Sequence, residues 1–469
     1  MSKVTREIKF GTDGWRGIIS DNFTFRNVRR VAQAIADYYN SRAKGRKARI
    51  AVGYDTRFLS DKYAKIVSEV LADNGIDIIL SDQPVPTPML SFAVKRKRMA
   101  AGVMITASHN PAAYNGIKIK TASGGAAGVE VTNVVENNAN RITRIKKSKS
   151  PGKISIQDIS NDYVKFLRSY IELAKIKKAK YRVLVDVMHG SGNGFIARVL
   201  AGTSVKLEFN RREINPSFGG LRPEPVVENL GVSITRMKKE KFDICLVLDG
   251  DADRIAAIAP GGEFISPQKI LALLALHLYQ DRKFSGGVVK TIVGTNLLDN
   301  LTRDLKLKLY ETPVGFKYIS YHMEHHNIMV GGEEAGGMGF KNYIPERDGT
   351  LAGLLLLEMM VYRRKSFLGI ISDMERKYGR YYYAREDLRI PNPNIDVMRF
   401  KSIKSLLGKK VTEVKDYDGL KLIASDGSWL IFRGSGTEPI MRVYAESKSK
   451  LQSEKLVELG KKLVLKLAK

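Results

Sequence analysis

Three stretches of this chain repeat one local plan, and that repetition limits the folds open to it more than any other feature. "RIAVGYDTRFLSDKYAKIVSEVLADNGIDIIL", from Arg49, reads as an apolar strand, a polar turn, Ser60 as a helix N-cap, and a helix. Within the helix, Tyr63, Ile66, Val67, Val70 and Leu71 recur at the spacing of one helical face, before Asn74-Gly75 stops it and "IDIIL" begins another strand. "YRVLVDVMHGSGNGFIARVLA" from Tyr181 and "GGVVKTIVGTNLLDNLTRDL" from Gly286 follow the same order of strand, polar or glycine turn, and helix. Units of this kind bury their apolar faces by stacking helices on a sheet, so three related α/β layers in succession are expected.

A chain of 469 residues is too long for one ordinary core; at ~100 to 200 residues per domain it divides into about three or four. The basic, Ser- and Pro-containing stretch "KKSKSPGK" separates the first unit from the second, and "DGDADRIAAIAPGGE" turns into new strand-like sequence near residue 257. After "RKYGRYYYAREDLRIPNPN" the pattern becomes strand-rich and closes on a helix, "KLQSEKLVELGKKLVLKLAK", which reads as an α+β domain. The expected domains are 1–150, 151–256, 257–379 and 380–469.

The opening "MSKVTREIKF" lacks the apolar centre of a secretory signal. The greasiest run, "LAGLLLLEMMVY", is too short to span a bilayer and contains Glu358, so it reads as a buried helix. The single cysteine, Cys245, lies in "ICLVL" and reads as a core thiol. A cytoplasmic protein with no membrane partner is the expectation. Net charge is +29, enough to attract polyanions non-specifically. The basic runs "KRKR", "RITRIKKSKS" and "KIKKAKYR" are separate and barely interleaved with aromatics, which is a lysine-rich solvated surface and not a base-stacking groove. No dedicated nucleic-acid partner is expected; such a field also draws in small phosphorylated substrates.

"FDICLVLDGDADR" ends an apolar strand in Asp249, Asp251 and Asp253 with only Gly and Ala between them. Three such carboxylates repel one another unless a hard divalent cation neutralises them, and Mg2+ is the first choice. A calcium loop is excluded, because Arg254 stands at its sixth position, where glycine is needed, and Pro260 at its twelfth, where glutamate is needed. "WLIFRGSGTEPIMRVYAE" places Arg433, Ser435, Gly436, Thr437 and Arg442 around a tight turn between strands, and guanidinium, hydroxyl and backbone N–H groups together suit a phosphate dianion. "GGVVKT" lacks the glycine before Lys290 that a P-loop requires, and "HGSGNGF" is only a fragment of a dinucleotide fingerprint. In "GVMITASHNPAAYNGIKIK", Ser108 follows an apolar strand, with His109 and Lys118 nearby and no G-x-S-x-G elbow around it. Beside a carboxylate triad and a phosphate clamp, Ser108 becomes a candidate phosphoryl carrier.

These residues resemble the α-D-phosphohexomutase superfamily over nearly the whole chain. "FGTDGWRG", "TASHNP", "DGDADR", "GGEEAGG" and "RGSGTEP" stand in that family's order and spacing. The resemblance implies an α/β fold of four domains around a central cleft, three of them related α/β domains with mixed sheets, plus the C-terminal α+β domain. It implies that Ser108 is phosphorylated and shares in the Mg2+ site made by Asp249, Asp251 and Asp253. It also implies that Glu333 grips sugar hydroxyls, that the "RGSGTEP" loop holds the phosphate not being transferred, and that Arg16, Arg254, Lys118 and Lys290 line the cleft. Many members carry serine where this chain has Ala335, so by the resemblance one hydroxyl contact to the sugar is missing here. "TPVGFKYI", with Gly315 and Lys317, and "GEEAGG" look more like glucose-type members than the amino-sugar branch.

By resemblance, phosphoserine 108 passes its phosphoryl group to a hexose monophosphate, a hexose 1,6-bisphosphate turns over in the closed cleft, and the reverse transfer yields the isomer. Glucose 1,6-bisphosphate would then be both intermediate and activator. Lys118, with its pKa lowered by burial and nearby cations, and His109 are the candidates for proton transfer. The expected activity is that of a phosphoglucomutase, with a phosphomannomutase or dual enzyme as the close alternative and a phosphoglucosamine mutase as a further one. A phosphatase and a nucleic-acid binding protein on the same scaffold are the competing classes. His322, His325 and His326 read as a helix-surface cluster and His277 as a satisfied core histidine. The expected assembly is a monomer or homodimer.

Overall fold

A computed structural model describes residues 7–467 apart from 12, 44, 46, 391–394 and 435–439. The three repeated units become three sheets that share one arrangement. In the first, Arg49–Tyr54 runs parallel to Ala101–Ile105, which is followed by the antiparallel Tyr114–Thr121. The second places Arg182–Asp186 parallel to Ile244–Leu248, then Ile255–Ala259 antiparallel. The third places Gly287–Thr291 parallel to Ile328–Gly332, then Met338–Phe340 antiparallel. The full sheets have seven, five and four strands. Central strands such as "AGVMI" and "ICLVL" are buried at every residue, as parallel strands covered on both faces require.

This arrangement positions the site. The loop from the middle strand to its antiparallel neighbour carries Ser108 in the first sheet, Asp249, Asp251 and Asp253 in the second, and Glu333 in the third. Each lies at the carboxyl end of a strand, where open α/β sheets bind ligands.

Two expected boundaries are corrected by strand pairing. Ile154–Gln157 pairs with Asp77–Ser81, so the first sheet continues past residue 150. Ile255–Ala259 and Glu263–Ile265 extend the second sheet, so a break at 256 would cut a strand in half. Ser60 is also not the N-cap: it is the first residue of the helix Ser60–Asp73, Leu59 stands at the cap position without a capping side-chain bond, and the Ser60 hydroxyl donates to Asp55 at 2.8 Å.

One hydrophobic core runs through the first three domains, from Met89 and Leu90 through Leu246 to Leu354. The apolar helix Gly349–Arg363 and Cys245 are buried in the protein, and among the described residues no helix is long and apolar enough to cross a membrane. His277 is a satisfied core residue, held by Asp281 and Glu358 at 2.9 Å each. The C-terminal domain is a six-stranded antiparallel sheet packed by the helix Lys450–Leu467. Ile292 and Val293 join it to the third domain by packing on Trp429, Ile431 and Tyr444.

Candidate active site

Ser108 sits just past the strand Ala101–Ile105 in a left-handed conformation, φ +52°, that is unfavourable for a residue with a Cβ. Several contacts hold it there. Its N–H donates to Thr106 Oγ1 at 2.8 Å, and Thr106 in turn donates to Asp55. The buried Arg57 guanidinium donates to the carbonyls of Ser108, Asn110, Pro111 and Tyr114 at 2.6–3.0 Å, fastening the loop by its backbone. The Ser108 hydroxyl is buried and donates to Asp249 Oδ2 at 3.1 Å, with His109 Nδ1 at 3.4 Å.

Asp249, Asp251 and Asp253 are fully buried, with ligand oxygens within 4.8 Å of one another, and form the one group of three potential metal ligands among the described residues. Thr87 donates to Asp251 Oδ2 at 2.6 Å; Lys118 donates to Asp251 Oδ2 at 2.8 Å and to Asp253 Oδ2 at 2.9 Å. Asp251 Oδ1 and Asp253 Oδ1 are buried and accept no hydrogen bond. Burial and the charges of Asp251 and Asp253 push the Asp249 carboxyl well above its ordinary range. Buried carboxylate oxygens that accept no hydrogen bond and a carboxyl strained by like charge are what a hard divalent cation relieves, so the donor set fits Mg2+.

Lys118 departs from expectation. Burial would lower its pKa, but Asp13, Asp251 and Asp253 outweigh burial and raise it, so the ammonium stays charged. The reason is three carboxylates within 3.0 Å, one of which, Asp13, enters from the first sheet's edge. His109 is displaced the other way: burial, then Arg254, Arg16 and Lys118, hold it well below the ordinary histidine range and keep it neutral. Arg16 donates to Asn110 Oδ1 at 2.6 Å on the Ser108 loop, and Arg254 lies 3.9 Å from both Asp253 and Glu224.

The third loop docks on the second by backbone: Ile255 N–H donates to the Gly336 carbonyl at 3.0 Å, and Arg254 and Gly337 form a bridge. Glu333 is buried there against Arg347 at 3.2 Å, and Ala335 stands half-buried at the turn. Gly315 opens the helix Phe316–His325 at φ +130°, with Lys317 half-buried beside Tyr318. The histidines at its far end, His325 and His326, are exposed and His322 half-buried.

Lys290 does not join this set. Its ammonium is held by Asp299, the Thr295 carbonyl at 3.3 Å and Glu311 at 3.7 Å. In the stretch expected to clamp a phosphate, Arg433 and Arg442 face each other in register on adjacent strands. Arg433 is bound to Asp418 at 2.9 Å, and Arg442 Nε is buried without a hydrogen bond. Ser435, Gly436 and Thr437 lie outside the described residues.

Arg57, Asp13 and Arg347 were not among the residues expected at the site. Arg57 follows the strand of the first repeat and Asp13 belongs to "FGTDGWRG", so both stood in stretches already marked out; "PERDGT", which holds Arg347, had no such signal.

Comparison with known proteins agrees with this organisation. Family models described as phosphoglucomutase/phosphomannomutase alpha/beta/alpha domains I, II and III match residues 7–146, 161–262 and 266–378, and the C-terminal domain model matches 391–459. A phosphoglucomutase/phosphomannomutase of Thermococcus kodakarensis is 30% identical over 97% of this chain and 98% of its own. A phosphoglucosamine/phosphogalactosamine mutase of Sulfurisphaera tokodaii is 29% identical with the same coverage. Among solved structures, a putative phosphomannomutase from Thermus thermophilus superposes with a TM-score of 0.87 at 34% identity, covering 98% of this chain and 99% of that one.

Proposed function

Because this chain belongs to the phosphoglucomutase/phosphomannomutase family and is a phosphohexomutase, we propose that Ser108 is its phosphoryl carrier and that it interconverts hexose 1-phosphate and hexose 6-phosphate through a hexose 1,6-bisphosphate, with glucose as its preferred sugar. The observation that carries this reading is the buried Ser108 hydroxyl, 3.1 Å from Asp249 and beside three buried carboxylates, two oxygens of which accept no hydrogen bond.

Mg2+ held by Asp249, Asp251, Asp253 and an oxygen on Ser108 would offset negative charge on the phosphoryl oxygens in flight. The protein's own groups do the rest. A sugar hydroxyl attacks the phosphorus of phosphoserine 108; the new sugar O–P bond forms as the Ser108 O–P bond breaks. The sugar oxygen loses a proton and the serine oxygen gains one. His109, held neutral and 3.4 Å from that oxygen, is placed to pass the proton. Lys118 stays charged and fixes Asp251 and Asp253. Glu333 accepts from sugar hydroxyls, while Gly315 and Lys317 border them, with Ala335 offering no hydroxyl of its own. Arg433 and Arg442, with the loop 435–437, take the spare phosphate. The bisphosphate then reverses in the cleft and returns its other phosphoryl group to Ser108.

The names of relatives favour a second reading of the sugar: one from Pyrococcus abyssi is called a probable phosphoglucosamine mutase and that from Sulfurisphaera tokodaii a phosphoglucosamine/phosphogalactosamine mutase. Purified protein assayed with Mg2+ and a trace of glucose 1,6-bisphosphate on glucose, mannose and glucosamine 1-phosphates separates these readings. The expected order of kcat/KM is glucose, then mannose, then glucosamine; a glucosamine preference replaces the first reading with the second. Intact-mass analysis of active protein that never shows a phosphoryl group on Ser108 overturns both.

A further inference from the structure

Arg347 belongs to the connection between the strand Met338–Phe340 and the helix Gly349–Arg363, and it is buried. Its guanidinium meets a carboxylate from each of the first three domains. One terminal nitrogen pairs with Asp13 and with Asp253 Oδ2 at 2.7 Å; the other donates to Glu333 Oε2 at 3.2 Å. The backbone on either side is anchored. Glu346 is paired with the buried Lys120, and Asp348 accepts from Tyr163 and Tyr343 at 2.9 and 2.8 Å while capping the helix. Room for the side chain comes from Gly337: a Cβ there would lie 2.2 Å from Arg347 Cδ. The ring of Phe316, next to Gly315, lies 5.5 Å below the guanidinium.

The consequence is a division of oxygens. Arg347 and Lys118 both bind Asp253 Oδ2, which leaves Oδ1 on the triad without a hydrogen bond and with only the Arg254 guanidinium 3.9 Å away. The same guanidinium ties Oε2 of Glu333 in the third loop. A planar fork can fix two carboxylates at once in a way that a single ammonium cannot.

We propose that Arg347 is a positioning residue that couples the cation site to the sugar site, orienting Asp253 for the divalent ion and Glu333 for the hexose. This rests on the reading above of Glu333 as the sugar-contacting carboxylate and of the triad as the cation site.

The test uses the full chain and two direct titrations by calorimetry, Mg2+ alone and glucose 6-phosphate in saturating Mg2+, together with steady-state KM and kcat. R347M is expected to weaken both ligands by about tenfold or more, since each loses a charge-assisted contact that orients its carboxylate. R347K is expected to recover one affinity and not both. A role in folding alone would lower the melting temperature and leave both titrations unchanged. If R347M does not fold, R347K is read in its place, and a folded lysine variant that binds both ligands like the parent overturns the proposal. E333Q and D253N separate the levels. Unchanged hexose phosphate binding in E333Q, or unchanged Mg2+ binding in D253N, removes the underlying reading and the proposal with it. Weakened binding in both, with R347M unchanged or affected for one ligand only, removes the proposal and leaves that reading in place.

Discussion

Ser108 and Asp249, 141 residues apart in the chain, meet through a 3.1 Å hydrogen bond, and the Ser108 carbonyl fills the space that a side chain at position 250 would need, 2.6 Å from its Cβ. The serine loop and the aspartate loop are therefore docked backbone to backbone, and the hydroxyl cannot leave the triad without opening that contact.

Replacing Ser108 separates chemistry from strain. Ser108→Ala and Ser108→Gly should both lose more than about a thousandfold in turnover, because the phosphoryl acceptor is gone. Glycine tolerates the left-handed backbone, so Ser108→Gly should be more stable than Ser108→Ala by about 1 kcal/mol in urea denaturation. Equal midpoints would mean that the loop carries no such strain.

Asp249→Asn should raise the melting temperature in the presence of a chelator, because it removes a buried carboxylate that burial, Asp251 and Asp253 all disfavour. The same variant should lose the further stabilisation that Mg2+ gives the parent protein. A parent protein whose melting temperature does not respond to Mg2+ would contradict the cation site.

Arg57→Met should release the four carbonyls that fasten the Ser108 loop. Misplacing the hydroxyl by about an ångström should lower kcat by about 100-fold. The Mg2+ affinity, for which three of the four protein ligands lie on the second sheet's loop and only Ser108 on the loosened one, should fall by less than kcat does. Calorimetry alongside turnover checks both, and an unchanged kcat would show that the loop holds its shape without the clamp.

His277 gives stability a pH dependence. Both ring nitrogens face carboxylates, Asp281 and Glu358, which also bind Arg363 and Arg282. Burial lowers the pKa of the ring, but the two carboxylates outweigh it and raise it, so the folded protein favours imidazolium. The resulting stability is fully present below the unfolded histidine value of about 6.5 and is lost as pH rises through the higher folded value. His277→Gln should cost about 2 kcal/mol near pH 6 and less near pH 8. A penalty that does not shrink with pH would mean that the ring is neutral throughout.

The strand and helix of each repeated unit were legible because a period of two or 3.6 in apolar residues is a local property, and "ICLVL" or the helix at Tyr63 needs no distant partner to declare itself. The strand-end positions of Ser108 and the aspartate triad followed from the same local pattern. The break expected at 256 failed because Ile255–Ala259 turns back onto its own sheet, a long-range pairing with no local mark.

The order of elements, the three related layers and the chemistry of the motifs were thus set by the amino-acid sequence alone. Which charges meet was decided only in three dimensions. Lys118 is held charged by Asp13, Asp251 and Asp253 from two domains, Lys290 is turned toward Asp299, and Arg347 gathers Asp13, Asp253 and Glu333 from three. Electrostatic energies fall with distance and rise with burial, and neither quantity exists for a residue until the chain has packed.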